Sequence, residues 1–313
     1  MRSVCRLALF AVSAMAFATA MAAPVGYSVN SDEPAGDSLY EIDLASGVAT
    51  RVGDVLSPLG SRSDIEGLAF DPFGRLWAVD DESGMLFPVN TDTALVMGEE
   101  EVGIDGIDAS QGNDYGMSFT CEGDLFVTSV ENQSLYSLEL NGDATLIGSL
   151  GSLGARISAI AAYGNPARLY GLGNGLVNEG GPLDNRSLYE IDMNTGVAER
   201  IGPVGDAVGD YFEAGLSFDA YGSLWAITER HNGAVNLPSQ VLRLDLESGT
   251  GTVVSTTQEA AGFESLAIAP LAGCDVAAAD EPHRIPAFDK YGMLLAFLVL
   301  LGTGMLALRR SRS

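Results

Sequence analysis

An internal repeat constrains the fold of this chain more than any other feature. Ser38–Gly53 reads SLYEIDLASGVATRVG, and Ser187–Gly202 reads SLYEIDMNTGVAERIG. A second element, Gly67–Asp80 (GLAFDPFGRLWAVD), recurs at Gly116–Thr128 and at Gly215–Ile227. Weaker copies of the first element begin at Ser134 and Gln240, each after a copy of the second element. The whole unit returns roughly every 50 residues, a period typical of β-propeller blades.

Each unit has the spacing of four short strands. In the first complete unit, Gly67–Phe70, Arg75–Asp80 and Met85–Asn90 are predicted strands, and Thr93–Met97 is predicted to be the fourth. Gly74 falls in the turn between the first two strands, where glycine tolerates a positive φ. Since no amphipathic helix of useful length appears, the repeat region is predicted to be all-β.

The two ends of the repeat region complement each other. It starts with three strands, Val25–Asn30, Leu39–Leu44 and Val48–Val52, and it ends with a lone first strand, Ser265–Ala269. Pairing these four strands in one blade removes the free sheet edges. With the degenerate unit at Ala159–Leu172 counted, the sequence predicts five four-stranded blades, closed by the N- and C-terminal strands.

The amino terminus has the pattern of a signal peptide. Arg2 and Arg6 precede the apolar stretch Leu7–Ala20, and small residues around Ala22 suit signal peptidase. We therefore predict cleavage after Ala22 and export of the chain, with a retained anchor helix as the alternative.

The carboxyl terminus has the pattern of a membrane anchor. A short polar segment, Ile285–Gly292, is followed by the uncharged apolar run Met293–Leu308 and then by a basic end. The run has about the minimum length for a transmembrane helix. Since arginines favour the cytoplasmic side, the propeller is predicted to lie on the far side of the membrane. We expect an inner-membrane anchor with a periplasmic ectodomain, which then reaches the cell surface or the medium.

This tail resembles the IPTL-type C-terminal sorting domain of Gram-negative bacteria, although Ala287-Phe288 stands where that family has Thr-Leu. The positions that agree are Ile285, Pro286, Tyr291, Gly292, Arg309 and Arg310. The resemblance implies recognition by a transpeptidase-like sorting enzyme, and whether the tail is cut or retained stays open. The predicted division is a signal peptide (1–22), the propeller (23–272), a linker (273–284) and the sorting signal (285–313).

The charge of the chain excludes whole classes of partner. The net charge is −26, and the sole lysine, Lys290, belongs to the tail. Between residues 23 and 284, ten arginines face 41 acidic residues. Such a surface repels phosphate backbones, so we predict no nucleic-acid partner. It favours divalent cations.

Two cysteines remain in the exported part, Cys121 and Cys274. An even count in an oxidising compartment is compatible with one disulfide. Two unpaired thiols are an equal alternative, because sequence alone does not place the residues within bonding distance.

Four acidic residues stand just before predicted first strands, where side chains project toward the mouth of a central channel. They are Glu66, Asp114, Glu213 and Glu264. Carboxylates that converge on an axis repel one another, and calcium would relieve this repulsion by taking hard oxygen ligands. The alternative is a set of solvated acids that line a wet channel.

The Gly67–Asp80 element resembles blades of the family that includes gluconolactonase-like and NHL-repeat proteins. In the gluconolactonase-like enzymes a glutamate at this point binds a metal, and Glu66-Gly67 matches that residue. The asparagine and aspartate partners of their site are not found here. The resemblance therefore leaves a metal-dependent hydrolase or lactonase as the alternative to a non-catalytic binding module.

The remaining candidates have structural explanations. Trp77 and Trp225 fall at equivalent positions of second strands and are predicted to be core residues. His231 lacks a nucleophile or a metal-spaced partner and is predicted to be an ordinary surface histidine. Glu99–Glu101 is predicted to be a solvated acidic loop.

The binding face is predicted from connection lengths. The long connections all lie at one end of the blades, and long connections in compact domains usually serve function. They are 31–38, 54–64, 99–114, 174–186, 203–212 and 229–239. We expect an exopolysaccharide or protein ligand on this face and no catalytic activity.

Overall fold

Short apolar strands separated by glycine turns fold into five antiparallel sheets of four strands each. The computed structural model describes residues 24–30, 36–98, 101–107, 114–176, 184–232 and 235–274. The regular secondary structure of these residues is entirely β, which confirms the predicted class. No helix among them is long and apolar enough to cross a membrane. The predicted signal peptide and sorting signal lie outside the described residues.

The chain divides into two units, Met1–Gly273 and Cys274–Ser313, and every described strand belongs to the first. We number the blades in chain order and give their strands from the axis outward. Blade one contains Ile65–Phe70, Leu76–Asp80, Met85–Val89 and Val102–Gly103. Blade two contains Tyr115–Phe119, Leu125–Ser129, Ser134–Leu138 and Ala144–Ile147. Blade three contains Ile157–Tyr163, Arg168–Gly173, Ser187–Ile191 and Ala198–Pro203.

Blade four contains Ala214–Phe218, Leu224–Thr228, Gln240–Leu244 and Gly251–Thr256. Blade five joins both ends of the repeat region and contains Ala267–Ile268, Val25–Asn30, Ser38–Asp43 and Val48–Asp54. Two small hairpins, Leu56–Ser57 with Gly60–Ser61 and His231–Asn232 with Val235–Asn236, extend the long connections.

The ring closes as predicted. In blade five the strand Val25–Asn30 pairs with Ala267–Ile268, with Gly26 opposite Ile268 and Tyr27 opposite Ala267. The first strands of the five blades contact one another in sequence around the axis, and the last contacts the first. This closed ring of five sheets confirms the five-bladed propeller for the described residues.

The hydrophobic core is divided among the interfaces between blades. Five clusters of buried side chains occur, and each joins residues of two neighbouring blades. Trp77 is 2% exposed and lies between blades one and two, and Trp225 is 6% exposed and lies between blades four and five. Both tryptophans are therefore core residues, as predicted.

The prediction for the fourth strand of blade one was wrong. Val102–Gly103 fills this place, opposite Met85 and Leu86. In the predicted strand, the Asn90 side chain accepts the backbone N–H groups of Asp92 and Thr93. The next residue, Ala94, has a φ of 60°. Because of this local turn, pairing with the third strand is limited to an isolated bridge between Val89 and Val96, and a regular fourth strand does not form there.

Glycines at the axis allow neighbouring first strands to approach closely. A Cβ at Gly116 would lie 2.9 Å from the carbonyl oxygen of Ser158 in the next blade. A Cβ at Gly215 would lie 2.2 Å from the backbone of Ser265. The glycine-rich start of the repeat therefore sets the narrow bore of the channel.

A buried aspartate organises the turn between the first two strands of blades one and four. Asp219 accepts the backbone N–H groups of Tyr221 and Ser223 at 2.9 Å each, and the indole N–H of Trp225 at 2.8 Å. Asp71 accepts the equivalent bonds in blade one, including that of the Trp77 indole. In both blades, one aspartate therefore holds the turn and also fixes the position of the buried tryptophan.

We expect Asp219→Ala to lower the free energy of unfolding by about 2–4 kcal/mol, because three donors lose a buried charged acceptor. Asp245→Ala is the matched control. Asp245 also accepts two backbone N–H groups in a turn, but it is exposed, so its loss should be much smaller. Urea unfolding followed by tryptophan fluorescence measures both, and equal losses would contradict this role of Asp219.

Candidate metal centre

Three of the four predicted carboxylates converge at the axis. Glu66 lies at a register shift between Ile65 and Gly67, a bulge that turns its side chain out of the strand pattern. Asp114 and Glu213 immediately precede the first strands of blades two and four. One carboxylate oxygen from each of Glu66, Asp114 and Glu213 lies within 4.8 Å of the others. We call these three residues the axial cluster.

Glu264 lies nearby but outside this group. It is 8% exposed and lines the same small cavity as Glu66. Its negative charge contributes to raising the pKa of both Glu66 and Glu213. The structure therefore brings three predicted residues into one cluster and places the fourth at its edge.

The electrostatics of the axial cluster oppose ionisation. Burial is the largest cause that raises the pKa of Glu66 well above its usual range, and the charges of Glu213 and Asp114 raise it further. The pKa of Glu213 is raised in the same way, by burial first and then by Asp114 and Glu264. The Oε2 atom of Glu66 is buried and has no hydrogen-bond partner among the described residues. A proton or a cation would relieve these conditions.

A second group of acids shares Glu66. Oxygens of Asp64, Glu66 and Asp81 also lie within 4.8 Å of one another. Burial is the main cause that raises the pKa of Asp81 to about 9, and a hydrogen bond with Asp64 contributes. Sequence reasoning missed this pair. The sequence did carry a signal for this second group: Asp64 and Glu66 are two residues apart, and Asp81 directly follows the strand Leu76–Asp80, which pairs with Ile65–Phe70.

The two buried arginines of the described residues are both in ion pairs. Arg62 forms an ion pair with Glu101, and both side chains are almost fully buried. Arg156 pairs with Glu131 at 2.6 Å. The prediction of a solvated Glu99–Glu101 loop was therefore wrong for Glu101, because the negatively charged loop binds back onto Arg62; residues 99 and 100 lie outside the described part.

The cavity beside the axial cluster is small. It is lined by Glu66, Ser158 and Glu264 together with small and apolar residues of the first strands, and it has room for about one water molecule. The next section of the channel is lined mainly by apolar side chains, among them Leu68, Phe218 and Leu271. The axis can therefore hold an ion or a water, whereas an organic substrate would lie outside it.

The arrangement suits a hard cation. Calcium takes six to eight oxygen ligands at about 2.3–2.6 Å, so oxygens on opposite sides of the ion are roughly 4.6–5.2 Å apart. One oxygen from each residue of the axial cluster lies within 4.8 Å of the others, close enough for all three to bind one such ion. Glu66, Asp114 and Glu213 can hold such an ion, and Glu264 and water can complete its coordination.

His231 has a partner that sequence reasoning missed. Its Nδ1 lies 2.9 Å from the Oε1 of Glu229, a residue that is 2% exposed. Its ring stacks on Phe212, with the centroids 3.7 Å apart. The sequence predicted a surface histidine, and the structure adds a buried carboxylate beside it. Glu229 and His231 are two residues apart in an extended segment, and such spacing places side chains on the same side.

The two cysteines of the described part, Cys121 and Cys274, are both disulfide-bonded. The sequence left two alternatives open, a disulfide and two unpaired thiols, and the structure has both cysteines in the disulfide form.

No protein-family model matches the chain, and no curated protein matches it either. Several solved structures resemble the chain at low identity. A protein of unknown function from Bacteroides caccae is 11% identical, with a TM-score of 0.48, over 79% of this chain and 99% of that chain. A chain of the nidogen–laminin complex is 15% identical, with a TM-score of 0.47, over 79% and 81%. Virginiamycin B lyase from Staphylococcus aureus is 14% identical, with a TM-score of 0.39, over 75% and 70%.

Proposed function

We propose that the protein is an exported, envelope-anchored β-propeller that binds a ligand or partner without catalysis and holds a calcium ion in its axial cluster. The observation that supports calcium is the convergence of Glu66, Asp114 and Glu213 within 4.8 Å. Export, anchoring and sorting rest on the sequence patterns at the two termini.

The role of the ion follows from where its ligands lie. Each residue of the axial cluster belongs to a different blade, and each stands where a long connection enters a first strand. An ion shared by the three would tie these entries together and fix the ends of the connections. The long-connection face then becomes a rigid surface for an exopolysaccharide or a protein partner.

The size of the cavity supports a structural ion. With room for about one water molecule, the cavity cannot admit a sugar ring or a lactone beside the carboxylates. A ligand of that size would bind on the long-connection face, away from the axial cluster.

Calcium titration into the full-length protein, first stripped of divalent cations, tests the proposal. We expect the melting temperature to rise by about 5–10 °C at 100 times the dissociation constant, since binding then adds about 2.7 kcal/mol. The fluorescence of Trp77 and Trp225 reports the transition. An unchanged melting temperature at millimolar calcium would remove calcium from the proposal.

A metal-dependent hydrolase is the second candidate, and the Glu229–His231 pair favours it. A buried carboxylate that orients an imidazole is an arrangement that suits a general base. This function requires gluconolactone hydrolysis that depends on calcium and is lost in His231→Ala. If the protein does not accelerate the hydrolysis, with or without calcium, the hydrolase is excluded and the non-catalytic binding module stands.

A further inference from the structure

Ser158 occupies in blade three the place that Glu66 occupies in blade one. Each lies at a register shift near the start of a first strand, between Ile157 and Ala159 in one case and between Ile65 and Gly67 in the other. A bulge at this place turns the side chain of the extra residue out of the regular alternation. Ser158 and Glu66 line the same cavity.

The hydroxyl of Ser158 is buried and unused. The residue is 6% exposed, and its Oγ atom has no hydrogen-bond partner among the described residues. Buried hydroxyls almost always have a partner, because an unsatisfied one loses the hydrogen bonds that it would make to water. The orphaned hydroxyl beside Glu66 therefore points to a missing ligand in the cavity, independently of the acidic residues.

Each blade has one side chain with an oxygen atom at the entry of its first strand. The first strands contact one another in a closed ring, and the residues at their entries are Glu66, Asp114, Ser158, Glu213 and Glu264. Four of the five are acids, and blade three supplies the neutral member.

We propose that the axial site is a five-membered oxygen ring, in which the Ser158 hydroxyl is a neutral ligand, and that the ring selects calcium over magnesium. The proposal rests on the proposed calcium site and names its missing ligand and its selectivity. Calcium often adopts a pentagonal bipyramid, whose equator takes five ligands, whereas magnesium requires a near-ideal octahedron. Five oxygens around one axis can fill the equator of a calcium site, whereas the equator of an octahedron takes four ligands.

The small cavity makes a protein-derived fifth ligand necessary. Since there is room for about one water molecule, the ion cannot keep a full hydration shell in the cavity. Side chains must then replace most of the water ligands, and Ser158 is a buried oxygen without another role.

Isothermal titration of calcium and of magnesium into the full-length protein tests this inference. Ser158→Ala should raise the dissociation constant for calcium by roughly 5- to 100-fold, the range expected when one buried polar interaction is lost. The constant for magnesium should change less. Ser158→Cys keeps the volume of the side chain and replaces the oxygen by sulfur, a poor calcium ligand, so it should weaken calcium binding as well.

Ser118→Ala is the matched control. Ser118 is 7% exposed and lies in the first strand of the neighbouring blade, but its Oγ already accepts the backbone N–H of Ala162 at 2.9 Å. This variant should bind calcium as the wild type does.

The outcomes separate the two proposals. If the wild type binds calcium and both Ser158 variants bind it equally well, the five-membered ring is wrong and the calcium site stands. If the wild type binds calcium no better than magnesium, the selectivity is wrong. If the wild type binds neither ion, the proposed function fails, and the ring fails with it.

Discussion

The double variant Glu66→Gln/Glu213→Gln is expected to lose calcium binding and, without metal, to melt at a higher temperature than the wild type. Calcium affinity should fall roughly 100-fold or more, because two anionic ligands become neutral amides. The metal-free protein should gain on the order of 1 kcal/mol or more at neutral pH, since a neutral amide avoids the cost of burying an acid whose pKa is raised. A double variant that is less stable than the wild type with calcium, and more stable without it, is the result expected if these residues bind a cation.

Glu190→Gln is the control for this variant. Glu190 also lies on a strand, but its carboxylate is exposed and forms an ion pair with Arg168 at 2.8 Å. Its replacement should leave calcium affinity unchanged and should not raise the melting temperature. If the double variant kept wild-type calcium affinity, the axial cluster would not be the binding site.

The metal-free protein is expected to become less stable as the pH rises from about 4 to about 9. Burial raises the pKa of Asp81 to about 9 and raises the pKa of Glu66 and Glu213 as well. The folded chain therefore holds more protons than the unfolded chain across this interval, and stability falls by up to about 1.4 kcal/mol per pH unit for each such group.

Below this interval the trend should reverse. Burial opposes ionisation of Asp71, but hydrogen bonds from its turn and from Trp77 outweigh it and lower the pKa of Asp71. Its contribution to stability is lost as the pH falls through that lowered value. We therefore expect maximum stability near pH 4–5 without metal, as measured by urea unfolding at a series of pH values. Asp81→Asn should flatten the fall above pH 5, and stability that is constant or rising between pH 5 and 8 would contradict this account.

The architecture was predictable because the repeat carries it in local chemistry. The apolar alternation and the turn glycines define strands without reference to distant residues. The lone strand at Ser265–Ala269 predicted that the two ends of the repeat region share one blade. The failure at Thr93–Met97 has a local cause too. The Asn90 side chain competes for the backbone there, and a pattern of apolar residues does not reveal this competition.

The site was only partly predictable. Glu66, Asp114 and Glu213 could be named because the propeller places strand entries at the axis. Ser158 could not be named, because its importance appears only when its hydroxyl is found buried without a partner. The Asp64–Asp81 contact and the Glu229–His231 pair also depend on how side chains meet in space, which strand spacing alone leaves undetermined.

Diffraction from crystals grown with calcium tests the central claim most directly. We predict one anomalous peak on the axis, within about 2.3–2.6 Å of oxygens from Glu66, Asp114 and Glu213. A structure with saturating calcium that shows no peak among these three carboxylates, or that shows calcium only at exposed surface acids, would contradict the account.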